Sequence, residues 1–199
     1  LMRLNLGVFI LHAVQLAMWV ALPALLVQAG LPKDLHWQVY LPTVLASFFV
    51  LRKTLYPLER RGYLRAVFLA SVALIAAVQL ALVWTAAQAP DLLLLAALLF
   101  VFFCGFNILE SCQPSMASRL APSHLRGTAL GVFNTLQSLG FFLGGALGGW
   151  LLRTQGVSGL FLACAALMLL WLVVAWPMRA PALHESSPEA CVVESGAAR

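Results

Sequence analysis

The hydrophobic residues of this chain are grouped in long blocks. Five blocks are clear, at residues 4–27, 66–87, 92–117, 127–152 and 157–176. Each is about as long as the ~20 residues that a helix needs to cross the hydrocarbon core of a bilayer. The blocks are rich in Leu and Ala and lack the alternating pattern of membrane strands, so they predict membrane-spanning helices.

One further block, the second of six when all are numbered in chain order, is shorter than the others. It begins at Trp37, and after Leu51 it is interrupted by Arg52 and Lys53. This helix must therefore end early or carry the two basic side chains out to the interface. We predict an all-α bundle of six transmembrane helices over residues 1–177. The polar, weakly acidic residues 178–199 predict a disordered cytoplasmic tail.

Two features concern the start of the chain. Arg3 ahead of the first block also fits a cleaved signal peptide, but the block is long and contains His12 and Gln15, which disfavours that alternative. The first residue is Leu1 and not Met, so we expect further residues upstream.

Composition supports the membrane interpretation. Hydrophobic residues make up 62% of the chain and charged residues 10%, and the mean hydropathy is +0.94. A soluble domain carries about 25% charged residues, and a soluble fold of this size could not bury so much apolar surface. The four cysteines form no CxxC pair and have no histidine at ligand spacing, so we expect no metal, cofactor or redox chemistry.

The net charge of +5 is divided unequally between two sets of connections. Basic residues precede the first block, follow the sixth, and lie between the second and third and between the fourth and fifth. The opposite set holds only Lys33 and Arg153. Because basic loops stay in the cytoplasm, this asymmetry predicts that both ends of the segment are cytoplasmic. It also explains the positive charge without a nucleic-acid partner.

The fifth block is lined with glycines that recur at intervals of four residues. Such spacing removes side chains from one helix face and lets a second backbone approach closely. A static helix contact would account for this spacing alone. The predicted helix-packing residues are Gly127, Gly131, Gly140, Gly144, Gly145, Gly148 and Gly149.

The run from Gly140 to Gly149 resembles the GxxxGPxxGG signature of drug/proton antiporters of the Major Facilitator Superfamily, with Gly145 in place of the proline. The segment 57–65 resembles the degenerate second-half copy of that family's cytoplasmic loop motif. Residues 106–129 resemble helix ten and its exit loop in bacterial inner-membrane transporters of the YajR type. The resemblance implies helices seven to twelve, built as two inverted three-helix repeats, and an N-terminal six-helix half from the same gene or a partner chain.

The resemblance also implies that charged loop residues pair between helix ends and hold one conformation closed. Setting membrane topology is the alternative role of such residues, and both can hold at once. The predicted conformational or gating residues are Glu59, Arg60, Arg61, Arg65 and Arg126.

Glu110 is the acid placed deep inside a predicted membrane helix. Such a residue costs roughly 2.5 to 3.5 kcal/mol to insert and normally faces the protein interior or a wet cavity. At 1.5 Å per residue, Glu110 and His12 each lie about 12 Å from the cytoplasmic ends of their helices, and Asn134 about 11 Å. We therefore predict His12 and Glu110 as a proton-coupling pair. A purely structural bond from Glu110 to Asn134 or to the backbone is the alternative.

The resemblance places the helices of His12 and Glu110 on a central cavity, where Gln15, Trp19, Asn107 and Asn134 would meet a substrate. It implies proton-coupled export of a small molecule by alternating access in the bacterial cytoplasmic membrane. Protons, a small molecule and the lipid bilayer would be the partners. A non-transporting six-helix protein and a membrane-embedded enzyme are the rival interpretations. An enzyme is not expected, because neither GxSxG nor HExxH occurs.

Overall fold

The computed structural model describes residues 2–178, except for the side chains of Tyr56, Glu59 and Arg60. The predicted tail lies, apart from Met178, outside the described residues. The chain is entirely helical in its regular structure across this range, as predicted. Its helices are α1 (Met2–Gln28), α2 (Trp37–Arg60), α3 (Leu64–Ala86), α4 (Leu92–Leu120) and α5 (Arg126–Ala175), with short 3₁₀ turns at Lys33–Leu35 and Ser123–Leu125.

The fifth and sixth predicted blocks form one continuous element with a sharp break. α5 contains 50 residues, about 75 Å of helix, which is more than twice the ~30 Å core of a bilayer. At Gly156 the backbone leaves the helical region, with φ of 72° and ψ of −174°. The predicted connection between the two blocks is thus reduced to one residue. We call residues 126–155 α5N and residues 157–175 α5C.

Contacts with α1 show that the chain reverses direction at this break. Gly140 lies against Phe9 and Gly148 against Ala17, so α5N runs parallel to α1. In α5C, Trp171 returns to the second turn of α1, so this segment runs antiparallel. Together with α1 to α4, the two segments make six helical rods, the number predicted from the hydrophobic blocks.

The remaining helices alternate in direction. α4 is antiparallel to α1, because His12 faces Glu110 whereas Trp19, further along α1, faces Phe103, which is earlier in α4. The starts of α1, α3 and α5 and the ends of α2 and α4 therefore share one end of the bundle. The described basic residues at this end are Arg3, Arg52, Lys53, Arg61, Arg65, Arg119 and Arg126, and those at the other end are Lys33 and Arg153.

α2 is the least apolar helix. α1, α3, α4 and the long α5 are long and apolar enough to cross a membrane, and α2 is not among these candidates. It does not end at Leu51 but continues to Arg60, and the side chains of Arg52 and Lys53 are exposed. Of the two alternatives left by the sequence, the structure shows the longer helix with its basic side chains at the surface.

Three glycines of α5N allow close contact with α1. A Cβ atom at Gly140 would lie 2.6 Å from the Phe9 carbonyl oxygen, and one at Gly144 would lie 2.6 Å from the Ala13 Cα atom. At Gly148 the nearest atom is the Ala17 Cα, at 2.9 Å. These distances are shorter than van der Waals contact, so the two backbones can approach this closely only where side chains are missing.

Three other glycines of α5N have no packing partner among the described residues. No described atom lies within 4 Å of a Cβ built at Gly127, Gly131 or Gly149. Gly149 points away from α1 because it is rotated about 100° from Gly148. Gly145 is intermediate, since its Cβ would lie 3.2 Å from the side chain of Leu16.

Candidate functional site

His12 lies at the centre of the contact between α1, α4 and α5N. It is completely buried, with 0% of its surface exposed, and the rings of Phe106 and Phe141 meet it edge-on at 5.9 and 4.9 Å. Its Nδ1 atom is 2.7 Å from the carbonyl oxygen of Val8, one turn earlier. Because a carbonyl can only accept, Nδ1 carries a hydrogen and Nε2 is left to face the partners across the interface.

Glu110 is the partner on α4. Its Oε2 atom lies 2.9 Å from His12 Nε2. The carboxylate side chain is 37% exposed whereas that of His12 is fully buried, so the pair has one enclosed member and one accessible member. The depth estimate predicted that these residues lie at one level, and they are in direct contact. Their role in proton coupling stays a prediction.

Gln137 of α5N contacts both His12 and Glu110, and it was not predicted as a site residue from the sequence. Its Nε2 atom lies 2.8 Å from His12 Nε2 and 3.2 Å from Glu110 Oε1. Asn134, one turn earlier, is exposed on another face, and the described bond to Glu110 from this helix comes from Gln137 instead of Asn134, which was the structural alternative. Helical spacing offered a signal: Gln137 precedes Gly140 by three residues, on the face whose glycines pack against α1.

His12 and Glu110 are placed so that one proton can lie between them. With Nδ1–H donated to Val8, the lone pair of His12 Nε2 faces a carboxylate oxygen at 2.9 Å. One proton between these atoms gives an imidazolium beside a carboxylate, or a neutral pair, without moving any heavy atom.

A second set of polar and aromatic residues lies further along α1 than the His12–Glu110 pair, toward the C-terminal end of that helix. Asn107 of α4 donates to Ser47 Oγ of α2 at 2.7 Å, and Trp19 stacks on Tyr40 with ring centroids 4.9 Å apart. The Oε1 atom of Gln15 is buried without a hydrogen-bond partner among the described residues, as are Trp19 Nε1 and Tyr40 OH. Buried polar atoms are normally hydrogen-bonded to protein or water, so these three can bind water or a polar ligand.

The predicted gating residues are spread over one end of the bundle. Arg65 at the start of α3 donates from Nη2 to the carbonyl oxygen of Trp176 at 2.7 Å, next to the end of α5. This contact joins two helix ends and places a cation where helix carbonyls are unpaired. Arg61 and Arg126 are exposed. The side chains of Glu59 and Arg60 are not among those that the structure describes. Pairing between the loop charges stays a prediction.

Comparison with known proteins identifies the family. The family model of the Major Facilitator Superfamily matches residues 4–194. The chain is 38% identical over 181 residues to the inner membrane transport protein YajR of Escherichia coli K12, covering 91% of this chain and 39% of that protein. It is 32% identical over 142 residues to the uncharacterized transporter BU466 of Buchnera aphidicola, covering 71% and 36%. The chain thus spans less than half the length of these relatives. These matches confirm the resemblance at the level of the superfamily, and the chain belongs to the Major Facilitator Superfamily.

Proposed function

We propose that this chain forms the second six-helix half of a transporter in the bacterial cytoplasmic membrane, and that it exports a small molecule in exchange for protons. Both named relatives are described as transporters, and one as an inner membrane protein. The glycine run without its proline favours the second half. The basic end of the bundle favours cytoplasmic ends for this segment.

The observation that carries the proposal is the contact between His12 Nε2 and Glu110 Oε2 at 2.9 Å. Ionisable residues inside a membrane domain are costly and mark substrate or proton pathways by default. This pair combines a buried imidazole with a carboxylate that remains accessible, as a group that exchanges protons with a cavity must. A pair with a purely structural role would not require an accessible carboxylate.

Competition between proton and substrate provides the coupling. When the pair loses its proton, the charge on Glu110 favours a wet cavity or a cationic group bound beside it. When the proton returns, the charge is reduced and closure of the cavity costs less. Gln15, Trp19 and Asn107 lie beyond the pair along the α1–α4 contact and supply polar and aromatic groups for the substrate.

The other half of the cavity would come from six further helices. Asn134 lies on an exposed face of α5N, and we assign that face to the contact with the missing half. The lipid bilayer, protons and a small molecule are the other partners. Transport, and not catalysis or a non-transporting role, is favoured by the family and by the accessible carboxylate.

The test is proton flux in inverted vesicles that contain the full-length protein. Cationic dyes, including ethidium, are added as probe substrates, and the internal pH is read by a trapped fluorescent indicator. Glu110→Gln should abolish the dye-dependent flux. Ser111→Ala is the matched control, because its hydroxyl only donates to the Asn107 carbonyl on the same helix. Undiminished flux in Glu110→Gln would refute the coupling role.

A further inference from the structure

The amide of Gln137 is placed between both members of the pair. Its nitrogen lies 2.8 Å from His12 Nε2 and 3.2 Å from Glu110 Oε1. An amide nitrogen carries two hydrogens and accepts none. One N–H can therefore be directed at each partner, provided that both partners have a free lone pair.

That condition depends on whether the pair holds its proton. When a proton lies between His12 Nε2 and Glu110 Oε2, the lone pair of Nε2 is occupied, and the amide can donate only to Oε1. When the proton leaves, Nε2 has an open lone pair and Oε1 belongs to a charged carboxylate. Gln137 then donates to both atoms, so it makes one hydrogen bond more with the proton-free pair.

We propose that Gln137 is a positioning residue that stabilises the proton-free form of the His12–Glu110 pair and thereby promotes release of the proton. The inference rests on the proposed proton coupling and adds a third residue to it. In an enclosed site, the departing proton would leave two acceptors 2.9 Å apart, and their repulsion would oppose release. The amide supplies a replacement donor without carrying a charge.

The described ionisable groups around Gln137 are few. From α1 it meets His12 and from α4 it meets Glu110, and the rings enclosing His12 are apolar. On α3 the described charged side chain is Arg65, which is bonded at the end of the bundle. On α2 the titratable Tyr40 stacks on Trp19, two turns along α1 from His12. Among the described residues, His12 and Glu110 are therefore the ionisable groups bonded to Gln137.

The experiment is an infrared titration of the full-length protein in lipid, following the bands of the Glu110 carboxyl group and of the His12 imidazole, so that the proton is detected on either partner. The Glu110 band is assigned by its loss in Glu110→Gln. Gln137→Met keeps the length of the side chain and removes both donors. Because the proton-free form loses more bonding, the titration midpoint should rise by about one pH unit, as one hydrogen bond near a charge is worth at least that much.

Two further variants complete the test. Gln137→Asn draws the amide back by one methylene and should also raise the midpoint, which provides a second measurement if the Met variant is poorly folded. Ser138→Ala is the control, since its hydroxyl bonds only to the Asn134 carbonyl. An unchanged midpoint in the Gln137 variants would overturn the inference and leave proton coupling intact.

A fall of the titration midpoint in the Gln137 variants would also overturn the inference. It would mean that the amide of the unmodified protein presents its oxygen to a protonated His12 and so stabilises the proton-bound form. If no band sensitive to Glu110→Gln titrates at all, the proposed proton coupling itself fails, and the inference fails with it.

Discussion

At the scale of single residues, the environment of His12 defines the site. The Val8 carbonyl fixes which ring nitrogen carries a hydrogen, and two phenylalanine rings fix the plane of the imidazole. Nε2 is thereby directed at Glu110 and Gln137, which come from two other helices. Contacts from three helices thus constrain the position of one buried side chain.

The bond from Asn107 to Ser47 links α4 to α2 next to this site. We expect Asn107→Ala and Ser47→Ala to be non-additive, with a coupling energy of about 1 kcal/mol, because each removes the same hydrogen bond. The measurement is a double-mutant cycle of thermal unfolding in detergent. Thr135→Val, whose hydroxyl bonds within its own helix, should be additive with either variant. Full additivity of the Asn107 and Ser47 variants would contradict the bond.

At the scale of helices, the contact between α1 and α5N organises the bundle. Gly140, Gly144 and Gly148 form one stripe of α5N, and the backbone of α1 fills the space that side chains would occupy. This stripe also sets the rotation of α5N about its axis, which directs Gln137 toward the pair and leaves Asn134 on an exposed face. Close packing of small residues here positions a polar side chain one turn away.

Alanine substitutions at two glycines of α5N distinguish the effect of contact with α1 from the effect of helix propensity. Gly144→Ala should lower stability by about 1 to 3 kcal/mol or more, since the added methyl group meets the α1 backbone. Gly149→Ala meets no described atom within 4 Å, and it should be neutral or stabilise the helix by about 0.5 to 1 kcal/mol. The assay is thermal unfolding monitored by a thiol-reactive dye, which reports exposure of the buried Cys104, Cys112 and Cys164. Equal effects of the two substitutions would contradict the packing described.

The reversal at Gly156 depends on a backbone conformation that side chains disfavour. With φ of 72° and ψ of −174°, a Cβ would introduce strain of roughly 1 to 3 kcal/mol. Gly156→Ala should therefore lower the apparent Tm in the same assay, even though the added methyl group would meet no described atom within 4 Å. Gly149→Ala serves again as the control. An unchanged Tm for Gly156→Ala would show that the chain reverses in another way.

At the scale of the whole molecule, the alternating directions of the six rods collect most of the described basic residues at one end. Lys33 and Arg153 lie at the other end. Positively charged loops are retained in the cytoplasm during membrane insertion. The charge asymmetry therefore predicts one orientation for the entire bundle.

Cysteine labelling tests this orientation. In a variant with Cys191→Ser, a new cysteine at Ser123 should react with a membrane-impermeant maleimide in inside-out vesicles and not in right-side-out vesicles. One at Gln88, in the connection between α3 and α4, should react in the opposite vesicles. Both positions are exposed, so accessibility of the side chain does not limit the reaction. The reverse labelling pattern would contradict the predicted cytoplasmic ends.

The sequence by itself determined the number of helical rods, the family and the level of His12 and Glu110. These properties depend on the lengths of apolar stretches and on the fixed rise of a helix, which are local quantities. The end of the short second block was harder to predict, because Arg52 and Lys53 do not end a helix when their side chains reach the surface.

Only the tertiary structure decided which residue of α5 meets the pair, and which glycines contact α1. Both depend on the rotation of one helix against another, and spacing within a single helix leaves that rotation undetermined. Asn134 and Gln137 lie one turn apart and are equally polar, but only Gln137 shares the face that the α1 backbone covers. The sequence predicted a connection between the two blocks of α5, but only the structure shows that this connection is reduced to Gly156.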